Sequence, residues 1–200
     1  MPVVISCQPV EHGKIRVTFD EGTRCLLYRT EINRFHLTGG TSVSDEDFQN
    51  LMEEVLGKRA KKRLLHLLER MDRTEKQLRD KLQAGEYPPA CIDAAIDYVK
   101  GYHYLDDYRY ACNFVRYSQE KMSRRQLVMK LGQKGISREH VERALEKEYV
   151  GNEEEQIRAL LKKRHYVPGE ADSGEYRRTY QFLQRRGFQG SDIRRAMENS

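Results

Sequence analysis

A largely apolar pattern that returns about every 50 positions restricts the fold of this chain more than any other feature. Leu78, Leu82, Ile92, Ala95 and Ile96 keep the mutual spacing of Leu127, Leu131, Val141, Ala144 and Leu145. A weaker third copy runs through Thr179, Leu183, Ile193, Ala196 and Met197. Glycine stands in the matching turn of two copies, as Gly135 and Gly187, with Gly85 one position off register in the first. Glycine there reaches the left-handed conformation that ends a helix. The first two copies also open on Thr74-x-x-Gln77 and Ser123-x-x-Gln126, each read as a capping box.

An amphipathic segment precedes each capped pair. Leu64, Leu67, Leu68 and Met71 form one stripe and Tyr108, Ala111, Cys112 and Val115 the next, both at the spacing of a helix face. Ile157 to Leu161 is the third equivalent, trailed by Lys162-Lys163-Arg164 and a loop from Pro168 to Gly174. Each repeat therefore reads as three short helices. Units of about 50 residues bury little surface alone, so neighbours are expected to pack end to end. Upstream, Val3-Val4-Ile5, the alternating Ile15, Val17 and Phe19, and the turn Asp20-Glu21-Gly22 before Cys25-Leu26-Leu27-Tyr28 signal a β-hairpin. The period turns helical at Ser44, whose acidic followers suit a helix start. The predicted fold is mainly α: an elongated array of tandem three-helix repeats over 44–101, 102–150 and 151–200, after a small N-terminal β-hairpin segment over 1–43.

With 38% hydrophobic and 34% charged residues and no tryptophan, one large core is hard to assemble and thin helical packing fits better. Residues 1–57 carry 5 basic and 9 acidic side chains, net −4, whereas the remainder carries 31 and 22, net +9. The helical body holds the basic character, which suggests an acidic partner, most commonly a nucleic-acid backbone. Cys7, Cys25, Cys91 and Cys112 lie 18, 66 and 21 apart, without CxxC or zinc-finger pairing. The six histidines make no HExxH and no nucleophile pairing, and Gly39-Gly40 lacks the lysine of a phosphate-binding loop. Neither metal nor other cofactor is expected, nor catalysis. No signal-like stretch follows Met1 and nothing approaches the roughly 18 apolar residues of a membrane span, so a monomeric, cytoplasmic protein with reduced thiols and no membrane partner is expected.

Leu105-Asp106-Asp107-x-Arg109-Tyr110-Ala111, set between two capped helix pairs, resembles the LDD-x-R-[FY]-A signature of the bacterial RecX regulatory proteins. The resemblance extends over the three-helix layout and the N-terminal hairpin, nearly the whole chain. It implies a non-enzymatic regulator of homologous recombination and DNA repair, one that lies in the groove of RecA-type recombinase filaments on single- or double-stranded DNA as their inhibitor or modulator. The family usually runs Gly-Tyr directly into Leu-Asp-Asp, whereas Gly101-Tyr102 here stands three residues before Leu105. The third repeat has Glu175 where the others carry Thr or Ser.

Adjacent carboxylates on a helix project about 100° apart, so Asp106 and Asp107 fit a helix N-terminus better than a metal or acid–base pair. Arg109 either bridges to a neighbouring acid or touches a partner. Tyr98, Tyr102, Tyr104, Tyr108, Tyr110 and Tyr117 either pack the junction of the first two repeats or stack on bases; Tyr108, on the apolar stripe, reads as core. Basic residues supply the candidate contacts to DNA or partner. Lys58, Arg59 and Lys62 fall opposite the Leu64 stripe and are expected to face outward. Arg124, Arg125, Lys130 and Lys134 are the candidates in the second repeat, and Arg178, Arg185 and Arg195 in the third. A competing reading takes Leu127 to Leu145, two helices joined by a glycine turn, as a helix-turn-helix transcription factor; the repetition argues against it.

Overall fold

A computed structural model describes residues 1–199 of the chain. Strands β1 (Val4–Pro9), β2 (Lys14–Phe19) and β3 (Arg24–Tyr28) form one antiparallel sheet in that order. The expected hairpin is thus the β2–β3 part of a three-stranded sheet. The early Val-Val-Ile run joins it through the pair of Val4 with Phe19. The elements named after β3 are helices, with one isolated bridge from Ser42 back to Val3: α1 (Arg29–Arg34), α2 (Asp45–Asn50), a π-helical stretch Leu51–Gly57, and α3 (Lys58–Arg70) come first. They are followed by α4 (Glu75–Gln83), α5 (Pro89–Gly101), α6 (Asp107–Ser118), α7 (Arg124–Gln133) and α8 (Arg138–Glu148). The last three are α9 (Glu153–Lys163), α10 (Ser173–Arg185) and α11 (Gly190–Asn199).

The chain forms two compact units, Met1–Asp106 and Asp107–Ser200. In the first, Val4, Val17, Phe19, Cys25 and Leu27 of the sheet pack with Leu37, Val43, Leu51, Leu56 and Cys91. A separate cluster joins Ala60, Leu64 and Leu67 of α3 to Leu78 and Leu82 of α4 and Ile92, Ala95, Ile96 and Val99 of α5. α5 therefore serves both clusters, Cys91 facing one and Ile92 the other. The second unit repeats the three-helix cluster twice, around Ala111, Val115, Leu127, Leu131 and Val141, and around Ile157, Leu161, Leu183, Ile193 and Met197. All fifteen matched positions of the sequence repeat are buried, none more than 3% exposed. Met71 departs from its predicted stripe: α3 ends at Arg70, the next residue is extended, and the side chain is 57% exposed.

Helix ends explain where each unit stops and starts. Thr74 accepts the Gln77 N–H at 3.3 Å while the Gln77 side chain accepts the Thr74 N–H at 3.2 Å, the reciprocal pair expected. Ser123 accepts the Gln126 N–H at 3.2 Å, but the Gln126 side chain turns away to the Arg185 carbonyl, so this second box is only half formed. In the third repeat α10 starts earlier than the repeat register implies. Asp172 caps it by accepting the Glu175 N–H at 2.6 Å, which supplies the cap that Glu175 cannot. α6 begins at Asp107, so Asp106 immediately precedes the helix, the N-terminal placement expected of this acidic pair.

The corner between the second and third helix of each repeat is left-handed at one register position: Glu86, Gly135 and Gly187, with φ of 52°, 83° and 82°. Gly85, the off-register glycine, is not the corner residue. Glu86 holds a conformation that costs an ordinary L-residue on the order of 1 kcal/mol. Its carboxylate accepts two hydrogen bonds from Arg16 on β2, at 2.6 and 2.5 Å, so the strained corner is also the clamp between sheet and helices.

Ile92→Ala is expected to destabilise the protein by about 2–5 kcal/mol through lost burial and a residual cavity, measured by denaturant unfolding. Hydrogen bonding from Arg16 holds the Glu86 carboxyl below the usual carboxylate range. The clamp's stabilisation is therefore complete above that range and is lost as pH falls through the lowered value. Melting curves of the parent and Glu86→Gln should differ at neutral pH and converge in acid; a constant gap at all pH would refute the clamp.

Candidate functional site

Two basic grooves collect several of the predicted residues. The first lies in residues 1–106, a cavity of about 670 Å³ lined by Lys14, Tyr28, Arg59, Lys62, Arg63, His66, Lys81, Ala84, Gly85 and Tyr87. α3 presents Arg59, Lys62, Arg63 and His66 at the i, i+3, i+4, i+7 spacing of one face, opposite buried Ala60, Leu64 and Leu67. α4 adds Lys81, and β2 begins with Lys14.

Arg59 does not face outward as predicted. It donates to the Leu26 carbonyl at 3.1 Å, forms an ion pair with Glu31, and stacks 5.1 Å from the centroid of Tyr28. Glu31 in turn accepts the Tyr28 N–H at 2.8 Å. This arginine ties helix to sheet. Lys58 is exposed but pairs with Glu54 at 2.5 Å, and only Lys62 of the three outward candidates enters the groove without an internal partner among the described residues.

The second groove lies in residues 107–200, about 530 Å³ in volume, lined by Arg125, Gln126, Met129, Gln184, Arg185 and Gly187. Two hydrogen bonds build it. The Ser123 hydroxyl donates to the Arg186 carbonyl at 2.8 Å, and the Gln126 side chain donates to the Arg185 carbonyl at 3.3 Å. Gly187 lies so close that a Cβ there would stand 2.6 Å from the Ser123 oxygen. The N-terminus of α7 thereby seats on the end of α10, and exposed Arg125 and Arg185 flank Met129, which is 52% exposed.

The remaining candidates are dispersed. Arg124 is exposed, its backbone N–H donating to Glu153 at 2.8 Å. Lys130 is half-buried, and Lys134 lies over the rings of Tyr110 and Phe114. Arg109, Arg178 and Arg195 are exposed and line neither groove. Arg178 approaches Asp172 and helps hold that carboxyl below its usual range, behind the larger effect of the Glu175 N–H. Tyr108 packs half-buried against its cluster with Arg143 and Lys147 over its ring, while Tyr102 and Tyr104 are exposed and stack on each other at 6.0 Å. The sequence reading missed Lys14, Arg63, Lys81, Gln126, Met129 and Gln184. The α3 spacing carried a signal for Arg63, whereas Lys14 and Lys81 reach the groove only through tertiary packing.

Burial raises the Cys25 and Cys91 thiols, to about 12 and about 11, which keeps them protonated and unreactive. Among the described residues, no three His, Cys, Asp or Glu side chains gather as a metal site would need, and no helix is long and apolar enough to cross a membrane.

Comparison with known proteins gives concordant matches. Family models for the first, second and third three-helix domains of RecX match residues 60–98, 106–145 and 152–197. A regulatory protein RecX of Clostridium botulinum is 32% identical over 183 residues, 90% of this chain and 86% of the relative. One from Clostridioides difficile is 24% identical over 196 residues, 96% and 92% of the two chains. A crystal structure of regulatory protein RecX superposes with a TM-score of 0.63 at 20% identity, covering 97% of this chain and 98% of that one. RecX from Lactobacillus salivarius gives 0.61 at 21% identity, covering 72% and 96%. At these identities the structures establish a common fold.

Gly187→Ala should loosen the second groove, because an added Cβ meets the Ser123 oxygen and φ is positive; a cost of at least about 1 kcal/mol is expected. Hydrogen exchange at the Gln126 amide should accelerate, and unchanged exchange would show that the contact does not order α7.

Proposed function

Because the chain belongs to the RecX family of regulatory proteins, we propose that it regulates homologous recombination and DNA repair without catalysing a reaction, by docking on RecA-type recombinase filaments on DNA and restraining them. The observation that carries the reading is the groove between α7 and the end of α10. Arg125 and Arg185 flank the exposed Met129 there, so apolar contact area and two bidentate donors share one surface. Protein interfaces are built this way, on an apolar anchor with arginine beside it. The guanidinium groups suit acidic side chains on a partner or phosphates beneath it. In this reading the regulator needs neither metal nor cofactor and works in the cytoplasm, where the filaments are.

A helix-turn-helix reader of duplex sequence is less well supported. Its recognition helix would be α8, whose Arg138, Arg143 and Lys147 are outnumbered by Glu139, Glu142, Glu146 and Glu148. Arg138 and Arg143 pair with glutamates one turn away on the same helix, and Glu148 accepts two hydrogen bonds from Arg116. A helix so acidic and internally paired is poorly suited to the major groove.

The test is recombinase ATPase on single-stranded DNA with the protein titrated in. The parent should inhibit, and the Arg125→Glu, Arg185→Glu double variant should require at least about tenfold more protein, since reversed charges in a docking surface are repulsive. Its melting temperature should barely move, as surface substitutions usually stay within about 0.5 kcal/mol. A variant that inhibits like the parent, or melts early, would remove this groove from the interface.

A further inference from the structure

We propose that the first groove, formed by β2, α3 and α4 in residues 1–106, holds the phosphodiester backbone of a single nucleic-acid strand. The proposal rests on the filament reading only for its biological setting; the groove chemistry stands apart from any recombinase.

The groove gathers cations from several elements with no acid in its lining. Several other cations of the unit are matched: Lys58 with Glu54, Lys76 with Asp80, Arg79 with Glu75 and Asp93, Lys100 with Glu75. Lys14, Lys62, Arg63 and Lys81 come from three elements, line one cavity, and enter no ion pair among the described residues. No carboxylate lines that cavity. The acids on its borders are already committed, Glu31 to Arg59 and Glu86 to Arg16. Like charges gathered without counter-ions repel, and an anion laid among them relieves the repulsion while releasing its own condensed counter-ions.

The lining also discriminates between partners. A docked protein needs an apolar anchor, and this groove offers none outside its rings. Tyr87 is half-buried, and the exposed Tyr28 already carries Lys14 and Arg59 over its ring. A sugar-phosphate chain needs only donors and cations. Ala84 and Gly85 add only small side chains to the lining, so a backbone can approach. A concave channel of about 670 Å³ suits one strand tracked by cations, whereas a duplex needs a broad open face.

The experiment measures anisotropy of a fluorescein-labelled oligo-dT with the full chain across a salt series, without recombinase. The groove variant is Lys62→Gln, Arg63→Gln, Lys81→Gln; the control is Lys121→Gln, Lys162→Gln, Lys163→Gln, which removes equal charge from exposed positions elsewhere. The parent should bind with strong salt dependence, and the groove variant at least about tenfold more weakly, its log–log salt slope shallower by about 2. The control should stay within about threefold of the parent. Should the triple variant fail to melt like the parent, Lys62→Gln and Lys81→Gln singly carry the test, each expected to weaken binding about threefold. The proposal is overturned if the parent binds no oligo-dT, if groove variants bind like the parent, or if the control loses as much. It is equally overturned if only a duplex responds, or if poly-glutamate of matched charge binds the groove more tightly than the strand. Loss of recombinase inhibition plays no part in this readout, so a failure here and a failure of the filament reading are told apart.

Discussion

A left-handed corner between two helices is the constraint on which each repeat depends. The second and third helices of a unit must reverse direction within a few residues while burying the stripes that face each other, and one residue with positive φ accomplishes this. The three copies fill that position differently. Gly135 meets the requirement with a residue that has no side chain to strain. Gly187 meets it and also comes within contact of the Ser123 hydroxyl, so the absence of a side chain serves both the turn and the seating of α7. Glu86 bears the conformational cost because its side chain has a use, anchoring the corner to the sheet through Arg16. One backbone requirement has thus become three different connections.

Much of the fold was legible because its main determinant is periodic. Leu82, Leu131 and Leu183 are buried for the same reason that they are spaced alike: each packs in the three-helix cluster of its own unit. Caps read well where the hydroxyl residue stands at the repeat register, as Thr74 does. The third cap escaped because α10 is longer than its counterparts and is capped by Asp172, outside that register. The three strand-like runs carried a turn signal only between the second and third, because the β1–β2 connection has no two-residue turn; it passes through a tight turn at Glu11–Gly13 with His12 at a φ of 60°. Such a connection has no strong local signature.

The candidate sites were legible only in part, and the reason is physical. Helical angle places Arg59 and Lys62 away from the α3 stripe, but it cannot say what another element brings to that face. β3 and α1 bring Leu26, Tyr28 and Glu31, which turn Arg59 into an internal strut. Lys14 and Lys81 lie 67 positions apart in the chain and share a groove because sheet and helix pair meet across the Arg16–Glu86 clamp. Similarly, Arg125 and Arg185 come together through Gln126 and Ser123, whose side chains bond across 59 and 63 positions. Charge counts find the basic body; long-range hydrogen bonds decide which charges are neighbours.

The π-helical stretch Leu51–Gly57 has a further consequence. Upstream, Leu51 and Leu56 belong to the sheet's cluster; downstream, Ala60, Leu64 and Leu67 belong to the first three-helix cluster. The wide turn carries an extra residue and so rotates one helical face against the other, with the Met52 carbonyl pressed toward Gly57 and accepting the Cys91 thiol. It works as a phase coupler in an otherwise continuous helical run. The upstream half keeps step with the sheet, the downstream half with the repeat, and neither has to compromise its own packing. The family match to the first three-helix domain begins at residue 60, just past this coupler. The joint leaves only a few places, Cys91 and the Glu86 corner among them, where the first repeat itself is fitted to the sheet.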